Sequence, residues 1–270
     1  MAGKLGKFRK SSSDQAKGFE GGSLGLAARE HLDRVLGLMG LSPSDSVLDI
    51  ASGTGACGRA AARLVRSVVC LDLDSAKLDA GRKLAAGSGA ANVSFVKDQV
   101  WDMPFADGAF DAVICRLSHK PFQLLGWPAG PLPEIDRVLK GGGKLAIIDT
   151  DAASGRSRYV RDGIEAIQDQ SHARYLRRTD LVWLFVERGY ALERLDADDV
   201  TVPLGDWLAF AGAPPEPGRA VEAMMRDGVD GCVPPGLSPR ESGGEISFTQ
   251  SWITLICTKP GSGKPEGDAK

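Results

Sequence analysis

The chemically densest stretch of this chain is Asp49-Ile50-Ala51-Ser52-Gly53-Thr54-Gly55-Ala56-Cys57-Gly58. Glycines at the first, third and sixth places of Gly53–Gly58 let the backbone turn tightly and approach a ligand closely, as a nucleotide-type cofactor requires. Asp72 ends the next apolar run, where a carboxylate can accept two hydrogen bonds from a ribose diol. Asp49 narrows the choice, because its charge would repel a pyrophosphate and suits a cation. Among the three histidines, His119 and His172 are the candidate bases, since imidazole titrates near neutrality; each also reads as an ordinary polar histidine. Asp149-Thr150-Asp151 has carboxylates for a metal, but the preceding strand supplies no matching one, so no metal is expected.

These residues need elements to hold them. Val47 to Ile50 is a short apolar run entering the glycine turn, and Ala56 to Val65 reads as the helix beyond it. Strands are predicted at 67–73, 93–97, 109–115 and 144–150, alternating with helices at 75–86 and 132–139. Such alternation implies parallel strands joined by right-handed helical crossovers. Upstream, apolar residues at helical spacing from Leu24 to Met39 predict a helix stopped by Gly40 and Pro43. Downstream, helices are expected at 159–168 and 179–188, then strands at 191–196 and 246–258. The domain spans 24–258, with 197–244 as a cap insertion rich in Pro and Gly. Residues 1–23 read as a flexible arm and 259–270 as a disordered tail. Trp183, Phe185, Trp207, Phe210 and Trp252 are expected in core and cap packing, with Trp207 and Phe210 the pocket walls among them.

The motif Asp49-Ile50-Ala51-Ser52-Gly53-Thr54-Gly55 resembles the first motif of the class I S-adenosylmethionine-dependent methyltransferases, acidic-x-Gly-x-Gly-x-Gly, with Ala51 in place of the first glycine. The resemblance covers residues 45 to 150 and is strongest to the small-molecule group that includes ubiquinone and menaquinone C-methyltransferases. Val69-Cys70-Leu71-Asp72-Leu73 is similar to the second motif, and Phe95 to Val100 with Met103-Pro104-Phe105 to the third. Phe110 to Arg116 resembles the fourth strand, and Arg137 to Gly143 the turn into the fifth. The resemblance implies an α/β, Rossmann-like seven-stranded mostly parallel sheet with helices on both faces, the last strand antiparallel and the cap before it. It implies S-adenosylmethionine as cofactor, contacted by Asp49, Ala51, Gly53, Gly55, Asp72, Leu73, Asp98, Gln99, Val100 and Arg116. The third motif departs from the family, with Gln99 where an Asp receives the adenine amine; the Gln99 amide oxygen can accept the same bond. His119 follows the fourth strand, where the acceptor pocket opens in this fold.

The implied activity is in-line methyl transfer to a small molecule, at oxygen or carbon. No Asn-Pro-Pro-aromatic signature of amide and base-amine methyltransferases follows the fourth strand, where the text is His119-Lys120-Pro121-Phe122. The alternatives are a nicotinamide-dependent oxidoreductase on the same glycine pattern, or a cofactor-binding protein or cyclase that transfers no methyl. A net charge of -2 offers no general attraction to nucleic acid or anionic membrane. With no long apolar run and five scattered cysteines, the expected address is the cytoplasm, with reduced thiols.

Overall fold

Val47 to Ile50 are all buried, as a strand covered on both faces must be. They belong to β1 (Ser46–Ile50), which pairs in parallel with β2 (Ser67–Asp72) and β4 (Phe110–Arg116). The computed structural model describes residues 22–116, 131–151, 177–211, 215–229 and 237–261. Outward from β1 the sheet adds β3 (Val93–Lys97) on one side, and β5 (Leu139–Thr150), β8 (Glu245–Thr258) and β6 (Ala191–Pro203) on the other. The order is β3-β2-β1-β4-β5-β8-β6, and β8 runs antiparallel to both of its neighbours in that order. The expected six like-directed strands and one reversed strand are therefore present, together with a short β7 (Arg240–Ser242) hairpinned onto β8.

Each face of the sheet is sealed by helices. On one, Leu48, Ile50, Val113 and Ile147 pack with residues of α4 (Leu132–Val138) and α5 (Arg178–Val186). On the other, Val47, Cys70, Ile114 and Ile148 meet α1 (Gly22–Leu38) and α2 (Ala56–Ala61). Gly40, at φ 63°, supplies the left-handed turn that stops α1. The helix after β2, α3 (Ser75–Gly87), is capped by Asp74, whose carboxylate accepts from the Ala76 amide at 2.9 Å and the Lys77 amide at 3.3 Å. Asp111 and Lys140 form an ion pair at 2.6 Å, while Asp111 also accepts from the Ser46 amide, tying β1, β4 and β5 together at the edge opposite the glycine turn.

Three expectations require correction. The strand from Ala191 does not stop at Asp196 but continues to Pro203, paired with β8 along its whole length, so 197–203 belong to the sheet and not to a cap. The acidic run Asp196-Ala197-Asp198-Asp199 hid this strand, because Asp is depleted in strands; the alternating burial of Val200 and Val202 reveals it. Beyond the last β5 pairing, Thr150 with Trp252, β6 and β8 continue as a ribbon carrying α6 (Leu204–Ala211) and α7 (Pro215–Val229). Trp207 packs as expected for the packing half of its assignment, edge-on to Phe248 with Val221 and Met225 around it, but it is buried in this ribbon's own core and is not a pocket wall. Trp183 is 59% exposed, because Leu181, Leu184 and Phe185 take the buried side of α5 and leave Trp183 opposite.

The termini differ as well. Gly22 and Ser23, assigned to the arm, begin α1. Lys259, assigned to the tail, bonds back to β5 through its amide, which donates to the Gly143 carbonyl at 2.9 Å, and through Nζ, which donates to the Leu139 carbonyl at 2.8 Å. His119, His172, the helix expected at 159–168 and most of the arm and tail lie outside the described residues, as does the side chain of Phe210.

Candidate active site

Every described element that ends near the glycine turn does so at the carboxyl edge of the sheet. The turn follows β1 and is tied to β2 at two points: the Ser52 amide donates to the Leu71 carbonyl at 3.0 Å, and the Gly53 amide donates to Asp72 Oδ2 at 2.7 Å. Asp72 Oδ1 accepts from the Asp74 amide at 2.9 Å. Strand β3 joins the group through the Asp98 amide, which donates to the Asp72 carbonyl at 3.3 Å, while Asp98 Oδ1 accepts from the Gln99 amide at 2.8 Å. Ala51, Gly53, Gly55, Asp72, Leu73, Asp98, Gln99 and Val100 are thereby gathered along one edge.

The glycines have separate duties. A Cβ on Gly55, at φ 72°, would lie 2.9 Å from Cys70 Sγ and 2.9 Å from Phe95 Cε1, so that glycine is required by packing beneath the turn. At Gly53 a Cβ would meet only Lys77 Cδ at 3.9 Å, so this glycine faces open space, where a ligand can approach its backbone. Ala51 adopts φ 51°, the left-handed conformation for which the family motif uses glycine.

Asp49 lies under the turn. It is 1% exposed, and its Oδ2 accepts from the Gly58 amide at 2.8 Å, holding the start of α2 against β1. Burial pushes its carboxyl pKa up to about 7, with the neighbouring Asp72 charge adding to the rise and the Gly58 bond opposing it. Its role in the structure is thus to shape the loop from below, rather than to present a charge on the open side. Cys57 is a buried packing residue whose thiol is pushed up to about 12 by burial and then by Asp49. Val100 likewise puts its side chain in the core, leaving only its backbone for a ligand.

Arg116, the last residue of β4, reaches across to α1. Its Nη2 donates to the Ala28 carbonyl of α1 at 3.3 Å, and its guanidinium carbon sits 5.4 Å from the centre of the Trp252 ring. Its charge also acts on Asp49. It links the turn to a second group of side chains that sequence reasoning overlooked: His31, Arg34 and Asp198. His31 and Arg34 stand one turn apart on α1, but nothing in the local pattern announces a partner on β6. Two exposed apolar side chains were likewise not singled out together, Leu73 (56% exposed) and Trp101 (41%), which follow the ends of β2 and β3. Among the described residues no group of three or more His, Cys, Asp or Glu side chains is arranged to hold a metal ion.

Residues 47–143 match the model of a methyltransferase domain family. The uncharacterized protein YafE of Escherichia coli (strain K12) is 30% identical over 155 residues, covering 57% of this chain and 73% of YafE. The chain belongs to the S-adenosylmethionine-dependent methyltransferase family. It is also 35% identical over 121 residues to the ubiquinone/menaquinone biosynthesis C-methyltransferase UbiE of Ectopseudomonas mendocina, across 42% of this chain and 44% of that protein. The methyltransferase thus spans less than half the length of that curated relative. A candidate methyltransferase from Bacillus halodurans C-125 superposes with a TM-score of 0.74 at 27% identity, over 86% of this chain and 99% of that one. Membership replaces the nicotinamide oxidoreductase alternative and makes S-adenosylmethionine the cofactor.

The residues fit that cofactor. Asp72 uses two carboxylate lone-pair positions on the Gly53 and Asp74 amides, and a carboxylate has about four, so two remain for ribose hydroxyls. The open face of Gly53 leaves room for the amino-acid portion, and exposed Leu73 and Trp101 offer apolar surface for a ring. When bound, the cofactor supplies an electrophilic methyl group on a sulfonium. No helix among the described residues is long and apolar enough to cross a membrane.

Proposed function

We propose that this methyltransferase acts on a small-molecule acceptor at oxygen or carbon, seated beside Arg116 under the ribbon formed by β6, β8, α6 and α7. The observation that carries the reading is the position of that ribbon. It rises past the carboxyl end of β5, on the edge that carries the glycine turn, and has an apolar core of its own around Trp207 and Phe248. A wall of this kind supports methyl transfer, an in-line displacement that needs donor and acceptor held collinear and away from water more than it needs a protein nucleophile. UbiE, by name, is a C-methyltransferase of quinone biosynthesis, which supports a small acceptor over a polymer; the net charge of -2 argues the same way.

Within this reading Asp72 holds the ribose, Gln99 accepts from the adenine amine, Leu73 and the Val100 backbone border the ring, and Ala51, Gly53 and Gly55 offer backbone to the amino-acid end. Asp49 and Arg116 act at one remove, by shaping the turn and joining it to α1. Calorimetry with S-adenosylhomocysteine tests the assignment. Binding is expected for the wild type, weakened by about 2 kcal/mol in Asp72→Ala, the loss of charge-assisted hydrogen bonds. Response to NAD in place of S-adenosylhomocysteine would refute it, and failure of radiolabelled methyl to leave the cofactor for any acceptor would refute the transferase activity alone.

A further inference from the structure

Asp49 is 1% exposed on a strand covered from both faces, yet only one of its oxygens is satisfied. Oδ2 accepts from the Gly58 amide at 2.8 Å, with the Cys70 thiol 3.9 Å away. Oδ1 is buried and has no hydrogen-bond partner among the described residues. A carboxylate held by one amide and cut off from water is costly to keep ionised, whereas a carboxylic acid in the same place is not. The charges facing it oppose one another. Asp72 of β2 works against ionisation, while Arg116 of β4 and Arg59 of α2 favour it. The thiols of Cys57 and Cys70 are themselves pushed up by burial and stay neutral. Burial outweighs the rest and lifts the Asp49 carboxyl to about 7, so its two forms are balanced near neutrality.

One added charge on the turn is enough to tip that balance. The turn begins two residues after Asp49, and packed protein fills the space around both. A Cβ on Gly55 would lie 2.9 Å from Cys70 Sγ; one on Gly58 would lie 2.4 Å from the same sulfur and 3.3 Å from Asp49 Oδ2. Charges act on each other more strongly through such a medium than through water. On the open side of the turn Gly53 faces the stem of Lys77 of α3, whose charge is present with or without a ligand. S-adenosylmethionine and S-adenosylhomocysteine share an ammonium and a carboxylate and differ by the one positive charge at sulfur. That charge is what a half-ionised carboxyl beneath the turn can read.

We propose that Asp49 distinguishes the charged cofactor from its neutral product, ionising when S-adenosylmethionine occupies the turn and regaining its proton when S-adenosylhomocysteine remains there. This rests on the S-adenosylmethionine reading above. As the cation binds, the O–H bond of the Asp49 carboxyl breaks with its electron pair left on oxygen, and the proton goes to solvent. Once the charge at sulfur is gone, the carboxylate takes a proton back from solvent. A group this buried exchanges its proton during transient openings of the turn, and the linkage is an equilibrium property that does not depend on their rate. The sign is fixed by the direction of the shift. Below about 7 the free protein holds the proton, and releasing it weakens cofactor binding; above about 7 the carboxylate is already formed and attracts the cation. Preference for cofactor over product therefore rises with pH and flattens once Asp49 is ionised in the free protein.

Calorimetry on the full-length protein without acceptor, in buffers of different ionisation enthalpy, counts the protons released. At about pH 6.5, S-adenosylmethionine should release more of a proton than S-adenosylhomocysteine does, and Asp49→Asn, which keeps an oxygen for the Gly58 amide, should abolish the difference. Between about pH 5.5 and 7.5 the ratio of the product Kd to the cofactor Kd should rise about tenfold in the wild type and by less in the variant, where only the ligands' own amino groups titrate. A flat ratio in the wild type, or an equal rise in Asp49→Asn, overturns the proposal. Carbon NMR of protein labelled at the Asp carboxyls, with Asp49 assigned by the same variant, provides a readout on the wild-type fold. The Asp49 midpoint should lie near neutrality in the free protein and fall when S-adenosylmethionine, but not S-adenosylhomocysteine, is bound. A midpoint in the ordinary carboxylate range, or one that both ligands move equally, also overturns it. Binding of neither compound overturns the cofactor reading and this proposal with it, whereas binding of both at a flat ratio overturns this proposal alone.

Discussion

Around the glycine turn the polar groups are backbone amides, shaped by Asp49 from below and Asp72 from the side, whereas between α1 and β6 they are side chains, His31, Arg34 and Asp198. Each region encloses a titratable group that burial drives toward its neutral form: Asp49 is raised to about 7, and His31 is lowered. The packing differs too. Beneath the turn there is no space for one more carbon, with a Cβ on Gly58 falling 2.4 Å from Cys70 Sγ, while the α1–β6 crossing opens into a cleft. A backbone site suits a ligand that is the same in every turnover, whereas a cluster of side chains can change without altering the fold.

The largest expected effect tests whether Trp207 holds the acceptor-side ribbon together from inside or itself lines the acceptor site. Trp207→Ala should reduce stability by about 4 kcal/mol, the cost of emptying a buried tryptophan site, measured by urea denaturation. Affinity for S-adenosylhomocysteine should stay close to wild type. Unchanged stability with a raised acceptor KM would instead make Trp207 a wall, and would break the contrast.

Asp49 provides the next test. Its folded pKa of about 7 lies above the ordinary 3.8, so the folded state retains a proton that the unfolded chain has released. Stability contributed by this proton is present below pH 3.8, declines as pH rises between the two values and is gone above about 7. Asp49→Asn removes the ionisation but leaves an unpaired amide nitrogen, which offsets part of the gain. The variant should be more stable than wild type by about 2 kcal/mol at alkaline pH and should lose that advantage on acidification. An advantage that does not vary with pH would show that Asp49 does not titrate on unfolding in this range.

The smallest effect sharpens the backbone side of the comparison. Ala51 holds a left-handed φ of 51°, so Ala51→Gly should relieve strain and stabilise the fold by about 1 kcal/mol. If the turn is already shaped for its ligand, cofactor affinity should not change. A large gain in affinity would mean that the alanine distorts the turn.

The sequence alone determined the half of the molecule whose signals are local. Asp49, the glycine spacing and Asp72 lie in a strand–turn–helix–strand run, and apolar period is enough to place β1 to β5, since each buried strand announces itself within a few residues. Adjacent strand ends then fall on one edge, which is why eight of the ten expected cofactor residues are gathered there. Asp49 was legible as an acidic motif residue but not as a buried one, because its exposure depends on α2 closing over it through the Gly58 amide. Leu73 and Trp101 could be read only as apolar residues; their exposure is a property of the assembled edge.

Tertiary structure alone decided the other half. The acidic stretch 196–199 argues locally against a strand, and only pairing with β8 makes it one, because the partner's backbone satisfies amides and carbonyls that side-chain propensity would have left to a loop. That pairing brings Asp198 beneath α1, where it meets His31 from near the start of the chain, with Thr254 and Trp252 from near its end. No spacing rule joins residues so far apart. Their meeting follows from the reversal of β8 between β5 and β6 and from the burial of one face of α1, and both are decided by long-range packing rather than by local pattern.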